Sequence, residues 1–212
     1  MEALLPLLAL DPLKGADPRT WFDSPVAEIW LEIGFGAGEH LLWQAREHPE
    51  IGFVGVEPYE AGVAKLLSKF SSMSPAHSFH LRIYQGDARD VIESLPDASL
   101  GRVFILFPDP WPKKRHHKRR FLQTNTLDAL ARVLKPDAEL RFASDDPGYV
   151  AWALEHFLAH AAFRWIADRA QDWRTRPADW PPTRYEQKAL HGVPAFLRFR
   201  REHLQNGTDN GR

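Results

Sequence analysis

Short apolar runs alternate with amphipathic segments along most of the chain. The apolar runs have the length of strands, and the segments between them repeat apolar residues at helical spacing. The predicted strands are residues 29–33, 53–57, 79–84, 103–107, 139–143, 163–167 and 195–202, and the predicted helices are 39–47, 61–70, a segment around Leu127 that ends before Pro136, and 149–161. Because parallel neighbours need a crossover connection, this alternation predicts an α/β fold with a largely parallel sheet and helices on both faces.

An acidic residue closes or follows each of the first five predicted strands. These residues are Glu32, Glu57, Asp87, Asp109 and Asp145. Ligands of an open parallel sheet bind outside the carboxyl ends of its strands, where these side chains are expected to meet. A single carboxylate at such a position is often a solvated group or a helix N-cap, but five at equivalent positions predict a ligand site.

A glycine-rich turn, LEIGFGAGEH, follows the first strand. Its glycines at 34, 36 and 38 let backbone approach a ligand at the start of the next helix. The spacing departs from the dinucleotide fingerprint, because Glu39 stands where the third glycine is required. Glu32 and Glu39 would also lie close to a pyrophosphate, whereas they favour a ligand with a positive charge.

S-adenosylmethionine satisfies these requirements, since its sulfonium and amino groups are cationic and it has no phosphate. Glu57 offers two acceptor oxygens for the two ribose hydroxyls. Asp87 is placed to accept from the exocyclic amine of adenine. We therefore expect S-adenosylmethionine as the ligand of the carboxylate-lined edge.

The composition limits the classes of function. A hydrophobic fraction of 44% and a charged fraction of 26% predict a soluble globular chain of one-domain size. The lack of cysteine excludes thiol catalysis and disulfides and suits a reducing cytoplasm. The apolar stretch that follows Glu2 is too short to span a bilayer and is predicted to pack as a helix or arm. His116 and His117 have no further ligands nearby in sequence, so no metal site is expected.

The most basic stretch of the chain follows the fourth predicted strand. Every residue from 113 to 120 is Lys, Arg or His, although the net charge of the chain is -1. Such a cluster is usually a solvated face, but this one follows Trp111 at the ligand edge and precedes a helix whose N-terminal dipole it opposes. These features predict a polyanion site. The side chains expected to contact phosphate are Lys114, Arg115, Lys118, Arg119 and Arg120.

Taken together, the motifs LEIGFGAGEH, VGVE, GDA, FPDPWPKKRHHKRR, ASDD and TRYE resemble those of bacterial tRNA (guanine-46-N7)-methyltransferases, a class I S-adenosylmethionine-dependent group. The resemblance extends from about residue 28 to about residue 201, and its most specific motifs are FPDPWPKKRHHKRR and TRYE. It implies a Rossmann-like class I methyltransferase fold with a seven-stranded, mostly parallel sheet and an antiparallel last strand. It also implies methylation of N7 of guanine 46 in the variable loop of tRNA by a cytoplasmic enzyme without a metal, which we expect to be a monomer or weak homodimer unattached to membranes.

The resemblance also implies roles for individual residues. The expected contacts to the methyl donor are Glu32, Gly34, Gly36, Glu57, Asp87 and Asp109. The expected substrate contacts are Lys113, Asp145, Thr183, Arg184, Tyr185 and Glu186. Asp109 carries the catalytic role in the family pattern. We expect residues 1–27 to form an N-terminal arm or helix, 28–203 the methyltransferase domain and 204–212 a disordered tail.

Guanine N7 carries a lone pair and no proton, so its methylation needs alignment rather than a general base. Positive charge moves from the donor sulfur to the guanine ring, and a fixed carboxylate beside that path stabilises it. Asp109 stands between two prolines, which makes it a rigid place for such a carboxylate. It is equally placed to accept hydrogen bonds from guanine N1 and N2, and the residues alone leave both roles open.

Two other functions stay open on the residues alone. A nicotinamide-dependent oxidoreductase shares the predicted fold, but the third glycine is displaced and a Tyr-x-x-x-Lys pair is missing. A non-catalytic RNA-binding module has little use for the donor-side carboxylates. The segment 170–192, rich in Trp, Pro and Arg, allows either stacking of an extruded base on Trp173 and Trp180 or packing of both side chains over the core.

Overall fold

The computed structural model describes residues 4–12, 15–73, 79–188 and 192–203, with backbone only at Tyr185 and Lys188. The strands are β1 Ile29–Ile33, β2 Gly52–Val56, β3 His80–Tyr84, β4 Leu100–Leu106, β5 Leu134–Ser144, β6 Phe163–Trp165 and β7 Ala195–Arg201. The helices are α1 Leu5–Leu8, α2 Glu39–Glu47, α3 Glu60–Ser71, α4 Ala88–Ser94, α5 Thr124–Val133, α6 Pro147–Leu158, α7 Gln171–Arg174 and α8 Arg184–Lys188. Two short 3₁₀ helices lie at Pro18–Trp21 and Lys114–Arg119.

The seven strands form one sheet in the order β3-β2-β1-β4-β5-β7-β6. Strands β1 to β5 pair in parallel, and β7 lies antiparallel to both β5 and β6. The prediction of a seven-stranded, mostly parallel sheet with an antiparallel last strand is therefore confirmed. The chain order reverses between β1 and β4, which is the position where open α/β sheets bind their ligands.

Each face of the sheet is covered by its own apolar core. One core joins the sheet to α4, α5 and α6 through residues such as Val91, Leu127 and Phe157. The other joins it to α1, α2 and α3 through residues such as Leu41 and Leu66. Because β1, β2 and β4 are buried between these two layers, their apolar runs are continuous rather than alternating.

The strand register brings the predicted site residues to one edge. Ile33 pairs with Val56 of β2 and with Ile105 of β4, so these three strands end at nearly the same level. The turns that follow them begin at Gly34, Glu57 and Phe107 and leave the sheet side by side. Residues far apart in sequence thus meet because the sheet is in register.

Two elements differ from their predictions. Strand β5 begins at Leu134, ahead of the predicted start at 139, because Leu134 already pairs with Leu100 of β4, and Pro136 lies inside the strand. The β4–β5 register shifts beyond Leu100, and Asp137 takes a positive φ of 64°, as at a bulge. Helix α4 was not predicted, although the Asp87 side chain caps its N-terminus, which is a recognisable start signal.

The N-terminal segment packs on the edge of the sheet. Leu8 and Leu10 are buried, Ala9 forms a bridge with Ile83 of β3, and the Leu10 N–H donates to the Ile83 carbonyl at 2.7 Å. In the described ranges, no helix is long and apolar enough to cross a bilayer. The predicted disordered tail, residues 204–212, lies outside the described residues.

Candidate active site

A cavity of about 340 Å³ opens at the carboxyl ends of β1, β2 and β4. The structure brings together in its lining five of the six residues predicted to contact the methyl donor, Gly34, Gly36, Glu57, Asp87 and Asp109. Further lining residues that the sequence did not single out for this site are Tyr59, Arg89 and Phe121. Three carboxylates and several aromatic side chains thus line the cavity, together with Arg89 and Arg119.

The glycine turn borders the cavity with bare backbone. Gly34 and Gly36 have φ of 73° and 54°, a region that side chains other than glycine rarely adopt. A Cβ on Gly34 would meet no atom within 4 Å, so a ligand can approach the backbone there. Gly38 has a different reason to be glycine, since a Cβ would lie 2.7 Å from Leu66 Cδ1 of α3. Only the first two glycines therefore suit ligand contact.

Glu57 is fixed by backbone donors on both of its oxygens. Its Oε2 accepts from the Gly36 N–H at 2.8 Å, and its Oε1 accepts from the Tyr59 N–H at 3.1 Å. Gly62 allows α3 to pack closely against the Glu57 side chain, because a Cβ at this position would lie 2.8 Å from Glu57 Cγ. A carboxylate has about four lone-pair sites, so each oxygen keeps capacity for a ligand hydroxyl.

Asp87 has two local partners in addition to its place in the cavity. Its Oδ1 accepts from the Arg89 N–H at 2.9 Å as the cap of α4, and its Oδ2 lies 2.9 Å from Arg89 Nη1. The Arg89 guanidinium also lies 5.2 Å from the centre of the Phe121 ring. A ligand amine that reaches Asp87 therefore shares this carboxylate with Arg89.

Asp109 lies on a constrained loop between β4 and the basic segment. Its neighbours Pro108 and Pro110 fix their own φ, while Phe107 and Trp111 have φ of 52° and 44°. Aromatic residues at positive φ are strained, and such strain collects at functional sites. The Phe107 N–H donates to the Ala143 carbonyl at 2.7 Å, which ties the start of the loop to β5.

Arg120 requires a correction. It was predicted to contact phosphate, but it is only 2% exposed, and its guanidinium lies 4.9 Å from the Tyr149 ring centre and 5.1 Å from that of Trp152. Its Nε donates to the Pro110 carbonyl at 2.8 Å. Burial lowers the pKa of this guanidinium. Arg120 is therefore a brace for the Asp109 loop and is not available to a polyanion.

The other cations of the basic segment are exposed. The segment forms the 3₁₀ helix Lys114–Arg119, and the exposed cations are Lys113, Lys114, Arg115, Lys118 and Arg119. Arg119 lies over the Trp111 ring at 4.8 Å, and both residues line the cavity. The basic surface is thus continuous with the mouth of the cavity.

The buried hydroxyl of Tyr149, which packs under Arg120, should make the free energy of unfolding depend on pH. Burial raises the pKa of its hydroxyl to about 12 from an ordinary value of 10.0. A raised pKa means that the native state holds the proton more tightly, so this contribution to stability is complete below pH 10 and is lost as the pH rises to 12. We expect the free energy of unfolding to fall by roughly 3 kcal/mol over this range.

The measurement is urea unfolding between pH 9 and 12, followed by tryptophan fluorescence. Tyr149→Phe keeps the ring and lacks the titrating group, so its loss of stability over the same range should be smaller by that amount. Equal pH profiles for the two proteins would refute the assignment.

Glu32 lies beside the main cavity rather than in its lining. It is 4% exposed and borders a small cleft of about 20 Å³ together with His40 and Thr183. The cleft and the cavity share Gly34 and Phe107. Glu32 Oε2 lies 2.7 Å from His40 Nδ1. The structure thus places Glu32 next to the predicted donor site, with a buried partner that the sequence did not indicate.

Two tryptophans of the segment rich in Trp, Pro and Arg pack against the core of the protein. Trp180 is 2% exposed and lies in a small core with Ala143 and Phe196, and Trp173 packs against the main core. Of the two interpretations of these tryptophans, packing is therefore correct. Gly192, near the end of the segment, approaches the chain after β5, since a Cβ there would lie 2.9 Å from the Asp145 carbonyl oxygen.

The TRYE motif begins helix α8 and is attached to the glycine turn. The Arg184 N–H donates to Glu39 Oε2 at 2.9 Å, and Glu39 Oε1 lies 2.9 Å from Lys69 Nζ. Burial raises the pKa of Glu39, but the Arg184 N–H and Lys69 outweigh that effect, so its pKa is lowered. Glu186 Oε1 accepts from Arg176 Nε at 3.0 Å. Glu39 thus connects the TRYE motif to the start of α2, next to the glycine turn of the cavity.

The predicted substrate residues whose side chains the structure describes do not line the main cavity. Among the described residues, the cavity lining does not include Lys113 or Asp145. Lys113 is exposed at the start of the basic segment, and Asp145 directly follows β5. Thr183 borders the small cleft and caps α8, where its Oγ1 accepts from the Glu186 N–H at 3.2 Å. The Tyr185 side chain lies outside the described part of the chain.

Comparison with known sequences identifies the family. A family model described as "Putative methyltransferase" matches residues 26–195. A tRNA (guanine-N(7)-)-methyltransferase of Rhodospirillum rubrum is 51% identical over 209 residues, which are 95% of this chain and 80% of the relative. The enzymes of the same name from Paramagnetospirillum magneticum and Rhizobium meliloti are each 48% identical over 95% of this chain and 85% and 87% of their own. This chain belongs to the tRNA (guanine-N(7)-)-methyltransferase family.

Solved structures show the fold at lower identity. A 16S rRNA (adenine(1408)-N(1))-methyltransferase of Catenulisporales acidiphilia superposes with a TM-score of 0.53 at 17% identity, covering 85% of this chain and 88% of its own. The [4+2]-cyclase SpnF gives a TM-score of 0.55 at 17% identity, covering 84% of this chain and 75% of its own. Because a cyclase shares the architecture, the fold by itself does not specify the reaction.

Several residues of the site were missed by sequence reasoning. His40 and Gln44 repeat at i and i+4 on α2, and polar residues at this spacing on a core-facing helix are a signal that could have been used. Asp179 and Arg89 gave no such signal. Their roles depend on segments that meet only in the folded chain.

Proposed function

We propose that this protein transfers a methyl group from S-adenosylmethionine to N7 of a guanine in tRNA, at position 46 of the variable loop. The observation that carries the proposal is the junction of a carboxylate-lined cavity with an exposed cationic segment through Trp111 and Arg119. The names of the relatives support methylation of N7 of a guanine in tRNA. We place it in the cytoplasm, with a monomer or weak homodimer as the active form and no metal.

The cavity residues fit S-adenosylmethionine. The two fixed oxygens of Glu57 suit the hydroxyls of its ribose, and the open space at Gly34 suits its amino-acid chain. The carboxylates in and beside the cavity match a ligand with two positive charges and would repel a pyrophosphate. This disfavours the nicotinamide alternative. We assign donor contacts to Gly34, Gly36, Glu57, Asp87 and Asp109, with Glu32 in the adjoining cleft.

When bound, S-adenosylmethionine supplies an electrophilic methyl group on a cationic sulfur. Asp109 stands at the cavity margin, where its carboxylate stabilises positive charge that develops on the guanine ring. The rigid loop keeps this carboxylate in place, so little reorganisation is needed during the reaction. Guanine N7 has no proton to remove, so the residues at the site orient and stabilise, and none acts as a base.

The exposed cations hold the tRNA while the base enters. Lys114, Arg115, Lys118 and Arg119 are assigned to the phosphates, and Arg120 is withdrawn from that set because it is buried. Lys113, Asp145, Thr183, Arg184, Tyr185 and Glu186 are assigned to the substrate nucleotide and its neighbours. A base inside folded RNA must be exposed before it can reach such a cavity.

The proposal is tested by transfer of labelled methyl groups to an unmodified tRNA transcript. Chain cleavage at N7-methylguanine then gives the position of the modification, and we expect a single cut at residue 46. The matched control is the same transcript with adenine at position 46, which should take up no label. Label at another position, or none while a related enzyme is active on the same transcript, would contradict the proposal.

A further inference from the structure

A buried chain of polar side chains lies behind Glu32. His40 Nδ1 is 2.7 Å from Glu32 Oε2, and His40 Nε2 is 3.2 Å from Gln44 Nε2. His40 is 2% exposed and Gln44 is 1% exposed. Buried polar side chains are costly unless they are hydrogen-bonded, and the proposed function gives neither residue a role.

The hydrogen bonds define the proton position on His40. Gln44 Nε2 also lies 2.8 Å from the Asp179 carbonyl oxygen, which can only accept. The amide nitrogen therefore donates one hydrogen to Asp179 and the other to His40 Nε2. Since Nε2 accepts, the imidazole is neutral and its hydrogen is on Nδ1, which donates to Glu32.

The opposite orientation of the Gln44 amide is excluded by the same contact. It would place Oε1 at 2.8 Å from the Asp179 carbonyl oxygen, with two acceptors facing each other. In the orientation observed, Gln44 Oε1 is buried and has no hydrogen-bond partner within the described part of the chain. The Asp179 carbonyl thus selects the amide orientation, and the amide selects the tautomer of His40.

We infer that His40 is a positioning residue, which orients the Glu32 carboxylate for the α-ammonium group of the methyl donor. Glu32 borders the small cleft next to the cavity, where a charged carboxylate needs a donor to remain buried. The inference rests on the proposed function, because it takes S-adenosylmethionine as the ligand. The hydrogen bond from Gln44 to the Asp179 carbonyl also links the donor site to the segment that carries Thr183, since Asp179 belongs to that segment.

Two substitutions at one position separate positioning from packing. In asparagine, Nδ2 lies at the same number of bonds from Cβ as Nδ1 of histidine, so His40→Asn keeps a donor to Glu32. In glutamine the amide lies further out, near the position of Nε2, so His40→Gln keeps polarity and size but directs its amide toward Gln44. Both variants are first checked for a cooperative thermal transition.

The measurement is calorimetric binding of two neutral-sulfur ligands. S-adenosylhomocysteine has the ammonium group, whereas 5′-methylthioadenosine has the same adenosine and sulfur without the amino-acid part. We expect His40→Gln to weaken S-adenosylhomocysteine by about tenfold or more, as for loss of a hydrogen bond to a charged group. Binding of 5′-methylthioadenosine should change by less than about twofold, and His40→Asn should recover most of the lost affinity.

Three results would overturn the inference: equal weakening of both ligands by His40→Gln, equal loss of S-adenosylhomocysteine binding in the two variants, or no preference of the native protein for S-adenosylhomocysteine. A native protein that binds neither ligand would overturn the proposed function as well. Binding of 5′-methylthioadenosine by the native protein therefore distinguishes failure of this inference from failure of the reaction.

Discussion

Replacement of Asp109 by alanine is expected to lower the rate of methyl transfer about a hundredfold or more when donor and tRNA are both saturating. Two hydrogen bonds hold the loop around it, one from Arg120 Nε to the Pro110 carbonyl and one from the Phe107 N–H to the Ala143 carbonyl. Removal of the carboxylate should therefore leave the shape of the cavity unchanged. What is lost is the fixed negative charge beside the methyl path. Single-turnover kinetics with labelled donor measure this directly, free of product release.

Asp109→Asn separates the two roles left open for this residue. It keeps an acceptor oxygen for guanine but removes the charge. If charge stabilisation dominates, the asparagine variant should be about as slow as the alanine variant. If orientation of guanine dominates, it should recover much of the rate and show its defect in the KM for tRNA instead.

The control is Asp128→Ala, which removes an exposed carboxylate of α5 that is outside the cavity lining and, among the contacts of the described chain, pairs only with His160. Its rate should match that of the native protein. Full turnover of Asp109→Ala would withdraw the catalytic assignment, even if methylation of guanine 46 is established.

Removal of four exposed cations from the basic segment is the second change with a large expected effect. The variant carries alanine at Lys113, Lys114, Arg115 and Lys118, and it leaves Arg119 and Arg120 because they contact Trp111 and the Asp109 loop. Each lost phosphate contact lowers the slope of log affinity against log salt by about 0.9. Three of the four removed cations, Lys114, Arg115 and Lys118, are assigned to phosphates, so we expect the slope to fall by about 3 and the affinity for tRNA to fall a hundredfold or more in low salt.

Filter binding of tRNA across a salt series measures both quantities. The matched control replaces four cations that lie outside both the basic segment and the cavity lining, namely Arg46, Lys65, Lys135 and Arg164. This variant should keep a nearly unchanged salt slope. Donor binding should stay within about twofold in both variants, since none of these side chains lines the cavity. An unchanged slope in the first variant would show that its positive charge is a solvated face.

The near-neutral net charge of the chain conceals this division of charge. Acidic side chains collect at the strand ends, where the proposed methyl donor is cationic, and basic side chains collect on one adjoining surface, where the proposed tRNA substrate is a polyanion. The two sets nearly cancel in the sum, which is why the net charge of -1 did not indicate RNA binding. Arg120 is the exception within the basic run, because its guanidinium is buried against Tyr149 and Trp152.

The sequence by itself determined the order of strands and helices and the approximate place of the donor site. The apolar run of β1 and the glycines after it are local patterns, and the fixed direction of parallel strands brings Glu57 and Asp109 to the same edge. The cavity lining confirms that these two residues meet. Local periodicity and backbone geometry were sufficient for this, since both act over a few residues.

Only the tertiary structure decided which polar side chains face the ligand and which serve the interior. Arg120 and Arg119 are neighbours in a run of equal charge, yet one is buried on Tyr149 and the other borders the cavity. The contact of Gln44 with Asp179 joins residues 135 positions apart. Burial and long-range hydrogen bonds depend on how the layers of helices and sheet pack. The sequence pattern gives no distances between residues of different layers, so it could not predict these contacts.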